Sequence, residues 1–127
     1  MAKLHLDTDI GGELDDLCAL AMLVKWPDLE LTGVTTVADE NGRRAGYAKY
    51  VLSIAGREDI PVAAGDDVSL GCFRFKPGYP KEEDYWPEPI ERHPGELEET
   101  LRLLKKSIEH RPRWAGHRGS RGSPNGT

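Results

Sequence analysis

The stretch Asp7-Thr8-Asp9-Ile10-Gly11-Gly12-Glu13-Leu14-Asp15-Asp16 lies close to the amino terminus of this 127-residue chain. The alternating run Leu4-His5-Leu6 before it is typical of a strand, and the apolar spacing from Leu14 to Leu23 predicts a helix after it. The two glycines predict a turn between them. Five acidic residues therefore lie around the junction between the end of a strand and the start of a helix, which is where open α/β sheets bind their ligands.

These acids need a charge that balances them. A helix amino terminus favours a nearby carboxylate by only about 0.3–1 kcal/mol, and like charges oppose one another's ionised forms. A bound cation would hold Asp9, Asp15 and Asp16 together, and an all-oxygen donor set suits Ca²⁺ or Mg²⁺. The alternative is that one acid caps the helix and the others occupy its exposed first turn.

Alternation of strands and helices continues along the chain. Leu29–Val37 is rich in β-branched residues and predicts a second strand, residues 43–55 predict a second helix that Gly56 ends, and residues 60–63 predict a short third strand. Such repetition predicts an α/β fold, with an open parallel sheet and flanking helices in a Rossmann-like arrangement. The loop after the second strand carries Asp39 and Asn41, which can then face the same pocket as Asp9.

Residues 66–94 hold many aromatics and prolines but little periodicity. A loop this long is typical of a lid or binding loop. Two interpretations of its aromatic residues stay open: they form a flap that stacks on a base, or they cover an exposed edge of the protein. After Pro94, the spacing of four apolar residues predicts a helix with one core-facing side. These residues are Leu97, Leu101, Leu104 and Ile108.

The acidic turn resembles the amino-terminal signature of the inosine-uridine-preferring nucleoside hydrolases, although Ile10 stands where many members have proline. The resemblance continues through Leu31–Val37 and Ala55–Gly65 and is good over residues 3–66. It implies a nucleoside-hydrolase-like fold, of which this chain is the amino-terminal part, and full-length relatives that form homo-oligomers. It also implies hydrolysis of the N-glycosidic bond of purine and pyrimidine ribonucleosides, to ribose and free base, through a calcium-bound water.

The resemblance further implies roles for individual residues. Asp9 would bind Ca²⁺ and take the proton of the attacking water, Asp16 would chelate the ion, and Asp15 would hold ribose hydroxyls close to the metal. Asp39 or Asn41 would contact the sugar in place of the family's asparagine. Asp7 is expected to be structural. Because Ca²⁺ takes about 6–8 oxygens and these carboxylates supply only part of that number, the polypeptide alone is expected to be inactive or nearly so.

The last residues depart from this pattern. We expect residues 1–109 to form the amino-terminal part of a nucleoside hydrolase domain and residues 110–127 to form an irregular tail with no apolar period. Codons compatible with residues 117–125, shifted by one base, permit Thr-Val-Val-Ala-Val-Gly-Pro-Leu-Thr, which matches the strand and turn expected there. The hypothesis is a frameshifted hydrolase; a chance match, disorder and a basic nucleic-acid arm are the alternatives.

Composition narrows the classes of function. The net charge of −5 indicates no nucleic-acid footprint, no apolar run is long enough to cross a membrane, and two cysteines without a disulfide pattern fit the cytoplasm. A small-molecule ribonucleoside is therefore the expected partner. Two other classes stay open: a haloacid-dehalogenase-like phosphatase, which also begins with an Asp-x-Asp after a strand, and a non-catalytic module that binds ribose or metal.

Overall fold

Three parallel strands in the order β1-β2-β3 form the sheet of the protein. The structure, a computed structural model, describes residues 1–68 and 85–109. The elements follow one another as β1 (Ala2–Thr8), α1 (Leu14–Lys25), β2 (Leu29–Thr36), α2 (Arg43–Ile54), β3 (Val62–Ala63) and α3 (Leu97–Glu109). This confirms the open parallel sheet with flanking helices. The predicted tail and most of the aromatic loop lie outside the described residues.

The main core lies between the sheet and the helices α1 and α2. It contains residues from every one of these elements, among them Leu20 and Val24 of α1, Val34 of β2 and Leu52 of α2. Apolar side chains at helical spacing on α1 therefore meet β-branched side chains of the sheet, and their removal from water stabilises the fold. No helix in the described part of the chain is long and apolar enough to cross a membrane.

A bulge in β2 sets which of its side chains reach this core. Leu4 pairs with Leu31 but His5 pairs with Gly33, so Thr32 is the extra residue. Its hydroxyl donates a hydrogen bond to the carbonyl of Leu4 (3.1 Å). Because a bulge resets the alternation of side chains, Leu31 and Val34 both pack in the same core although they are three residues apart.

Helix α3 covers the opposite, more polar face of the sheet, and its predicted core-facing side is wrong at three of four positions. The exposed residues are Leu97, Leu101 and Ile108. The buried position is Thr100, whose hydroxyl donates to the carbonyl of Ala64. Gly33 allows the close approach, since a Cβ there would lie 3.1 Å from Leu103. Polar contacts with the sheet, and not the leucine spacing, therefore orient this helix.

His5 links α3 to the sheet. The hydroxyl of Thr35 donates to Asp7 (2.7 Å), so it accepts from Nε2 of His5 (3.0 Å), which leaves Nδ1 to accept from the Ser107 hydroxyl (2.9 Å). This arrangement uses the neutral imidazole. Burial lowers the pKa of His5 below its ordinary value, although the charge of Asp7 opposes the shift.

Stability should therefore fall on mild acidification. The unfolded chain takes up a proton at His5 near its ordinary pKa of about 6.5, whereas the folded chain takes it up only at lower pH, so the free energy of unfolding decreases as the pH falls below that value. We expect urea unfolding between pH 7.5 and 5 to show this loss in the wild type and a smaller loss in His5→Gln. An equal pH dependence in both proteins would contradict this assignment.

Gly46 marks a second close approach, between α2 and the last part of the aromatic loop. A Cβ at Gly46 would lie 2.2 Å from the carbonyl oxygen of Glu91. Glycine to alanine inside a helix ordinarily stabilises it by about 1 kcal/mol, but here the methyl group would displace a packed backbone. Gly46→Ala is therefore expected to destabilise the protein by about 1–3 kcal/mol, measured from its urea midpoint.

The matched control for Gly46→Ala is Ser53→Ala, on the exposed side of the same helix. Its effect should stay within about 0.5 kcal/mol, as for most surface substitutions. An alanine at position 46 that raised the unfolding midpoint would show that the segment around Glu91 does not rest on α2.

Candidate functional site

The carboxyl ends of all three strands meet at one edge of the sheet, and backbone hydrogen bonds tie their loops together. The amide of Val37 donates to the carbonyl of Thr8 (3.0 Å), which joins the ends of β1 and β2. The amide of Asp39 donates to the carbonyl of Asp66 (3.1 Å), which joins the loops after β2 and β3. The acidic turn thus stands at the edge where a parallel sheet collects its ligands.

Asp9 and Asp16 are brought together as a hydrogen-bonded pair of carboxyl groups. The pKa of Asp9 is raised, chiefly by this hydrogen bond and then by desolvation and the charge of Asp16. The pKa of Asp16 is lowered, first by the same bond and then by a bond from Thr8. The pKa values of the two carboxyl groups are thus pushed in opposite directions, as expected for two like charges in contact.

Thr8 fixes the anionic member of the pair. Its hydroxyl accepts a hydrogen bond from the amide of Ile10 (3.1 Å) and donates one to Oδ2 of Asp16 (2.7 Å). The end of β1 is thereby connected to the first turn of α1. Thr8 is buried. Sequence analysis did not assign this role to it, although a hydroxyl residue between two acids was a usable signal.

Gly11 gives the turn its shape. Its φ is +130°, and a Cβ there would lie 2.4 Å from the ring of Tyr47. Both the backbone angle and the contact require glycine. The turn consequently rests directly on α2, which fixes the position of Asp9.

The other predicted ligand in this turn, Asp15, stays apart from the pair. It is exposed, and within residues 1–68 and 85–109 no three His, Cys, Asp or Glu side chains are grouped so as to hold a metal ion. Helix α1 begins after Glu13, whose side chain makes no capping hydrogen bond. The N-cap residue of α1 is thus Glu13 and not Asp9, and the role of Asp15 stays a prediction.

Asp7 has the structural role that was expected, but through a different partner. Its carboxylate accepts the hydrogen bond of Thr35 on β2, described above, and not one from the turn. This contact lies on the face of the sheet that α3 covers.

Asp39 is buried, with a relative exposure of 2%. Its carboxylate accepts hydrogen bonds from the hydroxyl of Thr36 (2.6 Å) and from the amides of Arg44 (2.9 Å) and Ala45 (3.0 Å). Those amides belong to the first turn of α2, whose N-cap residue, Gly42, has no side chain to offer. Asp39 thus accepts hydrogen bonds from the first amides of α2, a role that sequence analysis did not predict. Its contact with a sugar stays a prediction.

Asn41 remains accessible. It is exposed, has a φ of 52°, and lines a recess of about 290 Å³ beside Asp66 and Asp67. Asp9 and Asp16 do not line that recess. Of the two residues of this loop that were predicted to contact the sugar, Asn41 is exposed and Asp39 is buried.

Arg44 is a further residue of the site that the sequence did not single out. Its exposure is 4%, and its guanidinium donates to the carbonyl of Ala38 (2.9 Å) and to those of Asp9 and Ile10. Its positive charge favours the ionised forms of the acidic pair and opposes the rise in the pKa of Asp9. In the sequence, Arg43 and Arg44 look like a solvated helix start, so no pattern singled it out.

Trp86 lies in the described part of the aromatic loop. Its ring stacks on Tyr47 at 4.5 Å between centroids and meets Tyr50 edge to face at 5.8 Å. Trp86 therefore covers α2 next to Gly11. Residues 69–84 of the predicted base-stacking flap lie outside the described residues, so the flap stays a prediction.

The donor set fits a hard divalent cation in part. Two adjacent carboxyl groups provide oxygen ligands, and a cation between them would let both ionise. Calcium takes about 6–8 oxygens, so Asp9 and Asp16 would account for a minority of a complete shell.

A family model matches most of the chain. It is the model of the inosine-uridine preferring nucleoside hydrolases, and it covers residues 4–123. The chain belongs to this family. Membership of the nucleoside hydrolases favours that interpretation of the Asp-x-Asp turn over the haloacid-dehalogenase-like one.

Two curated relatives are similar to part of this chain. Uridine nucleosidase 1 of Arabidopsis thaliana is 36% identical over 85 residues, which cover 65% of this chain and 23% of the relative. An uncharacterized protein of Schizosaccharomyces pombe is 40% identical over 70 residues, 54% of this chain and 22% of the relative. The chain thus matches under a quarter of the length of these curated relatives.

A solved structure is also similar to part of this chain. A plant nucleoside hydrolase is 35% identical, with a TM-score of 0.49, over 54% of this chain and 22% of that one.

Proposed function

We propose that this chain provides the water-activating part of a calcium-dependent ribonucleoside N-glycosidase. The observation that carries the proposal is the contact between the carboxyl groups of Asp9 and Asp16 at the end of β1, in a chain that belongs to the nucleoside hydrolases. A carboxylate placed next to a bound water can accept its proton as that water reacts. The substrate is a purine or pyrimidine ribonucleoside, and the products are ribose and the free base.

Asp9 acts as the general base in this mechanism. It takes a proton from the water that attacks the anomeric carbon, while the bond to the base breaks and positive charge develops on the sugar. Asp16 stays ionised, held by the Thr8 hydroxyl, and stabilises that developing charge together with its neighbours. Asp15 and Asn41, both exposed, hold the ribose hydroxyls.

Asp9 and Asp16 would hold the calcium ion, and Asp15 would approach it through the sugar hydroxyls. When bound, Ca²⁺ supplies the positive charge that lets both acids ionise and that polarises the reacting water. Since calcium is a weak Lewis acid, the acceptor strength of Asp9 matters more here than it would at a zinc site.

The 127-residue polypeptide by itself is proposed to be inactive or nearly so. The described residues group two carboxylates, and a protonated leaving base and a full calcium shell need further donors. A release assay for ribose from inosine and uridine, with 1 mM Ca²⁺ or with chelator, tests this. We expect no release above that of Asp9→Asn, and measurable calcium-dependent hydrolysis would overturn the claim of inactivity.

Binding separates the glycosidase proposal from its alternatives. An iminoribitol, whose protonated ring nitrogen imitates the ribosyl cation, should bind in the presence of Ca²⁺, because analogues of a transition state bind better than substrates. No binding of the analogue with normal calcium binding would leave only a metal-binding module. Magnesium-dependent hydrolysis of p-nitrophenyl phosphate without nucleoside or iminoribitol binding would favour a phosphatase.

A further inference from the structure

The guanidinium of Arg44 connects two loops that are far apart in the sequence. It donates to the carbonyls of Asp9 and Ile10 in the β1–α1 turn and to the carbonyl of Ala38 in the loop after β2. Both loops are irregular, and Ala38 has a φ of 49°. The planar fork of one guanidinium is well suited to donate to carbonyls of both loops at once.

Arg44 is itself held in place by the same loop. Its backbone amide donates to the carboxylate of Asp39 (2.9 Å), so its main chain and its side chain both contact the segment from Ala38 to Asp39. With a relative exposure of 4%, the side chain has little freedom to leave. The connection between the two loops is thus short and rigid.

The position of the charge makes a purely electrostatic role implausible for cation binding. A buried cation next to Asp9 and Asp16 repels a second cation, and by this effect alone it weakens any metal site there. An arginine that serves such a site must therefore contribute through geometry. Removing the charge of Arg44 would strengthen cation binding, whereas removing its hydrogen bonds would weaken it. A substitution can therefore separate the two effects.

We propose that Arg44 is a positioning residue, which holds the β1–α1 turn against the loop after β2 so that Asp9 and Asp16 are pre-arranged for a divalent cation. The inference rests on the cation site of the proposed function. It adds a residue on α2 that touches neither metal nor substrate and acts through the backbone of the turn. Such supporting contacts typically change metal affinity by about 10–100-fold.

Three variants test the proposal. Arg44→Met removes the charge and the hydrogen bonds at similar length, Arg44→Lys keeps the charge but loses the planar fork, and Leu52→Ala is a matched control that creates a cavity in the same helix, since Leu52 is 1% exposed. Calcium affinity is measured by titration calorimetry at a temperature where circular dichroism shows each protein folded.

We expect the calcium Kd to rise about 10-fold or more in both Arg44 variants and to stay within about twofold in Leu52→Ala, although that control lowers the Tm. An Arg44→Met protein that binds calcium as tightly as the wild type, or more tightly, would overturn the proposal. A loss of affinity in Leu52→Ala equal to that in the Arg44 variants would show a general effect of stability instead.

A measurement without metal keeps the inference separate from the proposed function. In calcium-free protein, amide hydrogen exchange at Ile10 and Asp39 should accelerate together in both Arg44 variants, because the two loops would move apart. Unchanged exchange at both amides would refute the connection. If the wild type binds no calcium, the proposed cation site fails while this exchange experiment still decides whether Arg44 holds the loops.

Discussion

Asp9→Asn is expected to stabilise the protein in chelator and to remove its stabilisation by calcium. The substitution ends the repulsion between two adjacent carboxylates and leaves an amide that can donate to Asp16. Because Asp9 is exposed, water screens this gain to at most about 1 kcal/mol. Calcium at 100 times its Kd should raise the wild-type stability by about 2.7 kcal/mol, and the variant should lose most of that. Thermal unfolding with EDTA and with calcium measures both effects.

Glu13→Gln is the matched control for Asp9→Asn. It also removes one acid from the turn, but Glu13 is exposed and its side chain caps nothing. Its calcium response should remain within about 0.5 kcal/mol of the wild type. Equal losses in Glu13→Gln and Asp9→Asn would mean that calcium responds to the net charge of the turn and not to the paired carboxyl groups.

Among substitutions in the loop after β2, Asp39→Ala should produce the largest loss of stability. The substitution leaves the hydroxyl of Thr36 and the first amides of α2 without their buried acceptor. Each unsatisfied buried group costs about 1–3 kcal/mol, so a total of about 3 kcal/mol or more is expected. That is a large part of the 5–15 kcal/mol typical of a folded domain. Urea unfolding at pH 7 provides the measurement.

Glu40→Ala controls for the charge of the same loop. Glu40 is exposed and uses its backbone carbonyl, not its side chain, to accept from Arg92 (2.7 Å). Its substitution should change the stability by no more than about 0.5 kcal/mol. If Asp39→Ala kept its stability but lost binding of an iminoribitol, the buried carboxylate would be a sugar ligand and not the support of α2.

The elements that position the site followed from local patterns. Apolar spacing predicted α1 from Leu14 to Leu23, and β-branched residues predicted β2, because both patterns report directly on a buried face. The acidic turn between strand and helix likewise predicted that acids would meet there, and the structure joins Asp9 with Asp16. Periodicity and strand order were therefore sufficient to predict these elements and the place where the acids meet.

Side-chain partners across the sheet were not predictable in the same way. Helix α3 has regularly spaced leucines, yet it lies on a face that presents His5 and Thr35, so the choice of its buried side depended on residues about 70–100 positions away. The same holds for Arg44, whose three carbonyl acceptors come from two distant loops. Spacing along one helix contains no information about such contacts.

The site illustrates how a parallel sheet distributes one task over several loops. The β1–α1 turn carries the paired carboxyl groups, and the loop after β2 carries the buried Asp39, which supports α2, and the exposed Asn41. Arg44 then connects the two loops from α2. The loop after β3 adds the carbonyl of Asp66. The position of each functional group thus depends on backbone contacts with the neighbouring loop.

The most direct test is a crystal of the 127-residue chain soaked in calcium, with the ion located by its anomalous scattering. The account predicts one calcium ion in contact with carboxylate oxygens of both Asp9 and Asp16, at distances of about 2.3–2.6 Å. A crystal in which Asp9 and Asp16 stay hydrogen-bonded to each other at millimolar calcium, with no ion between them, would contradict it.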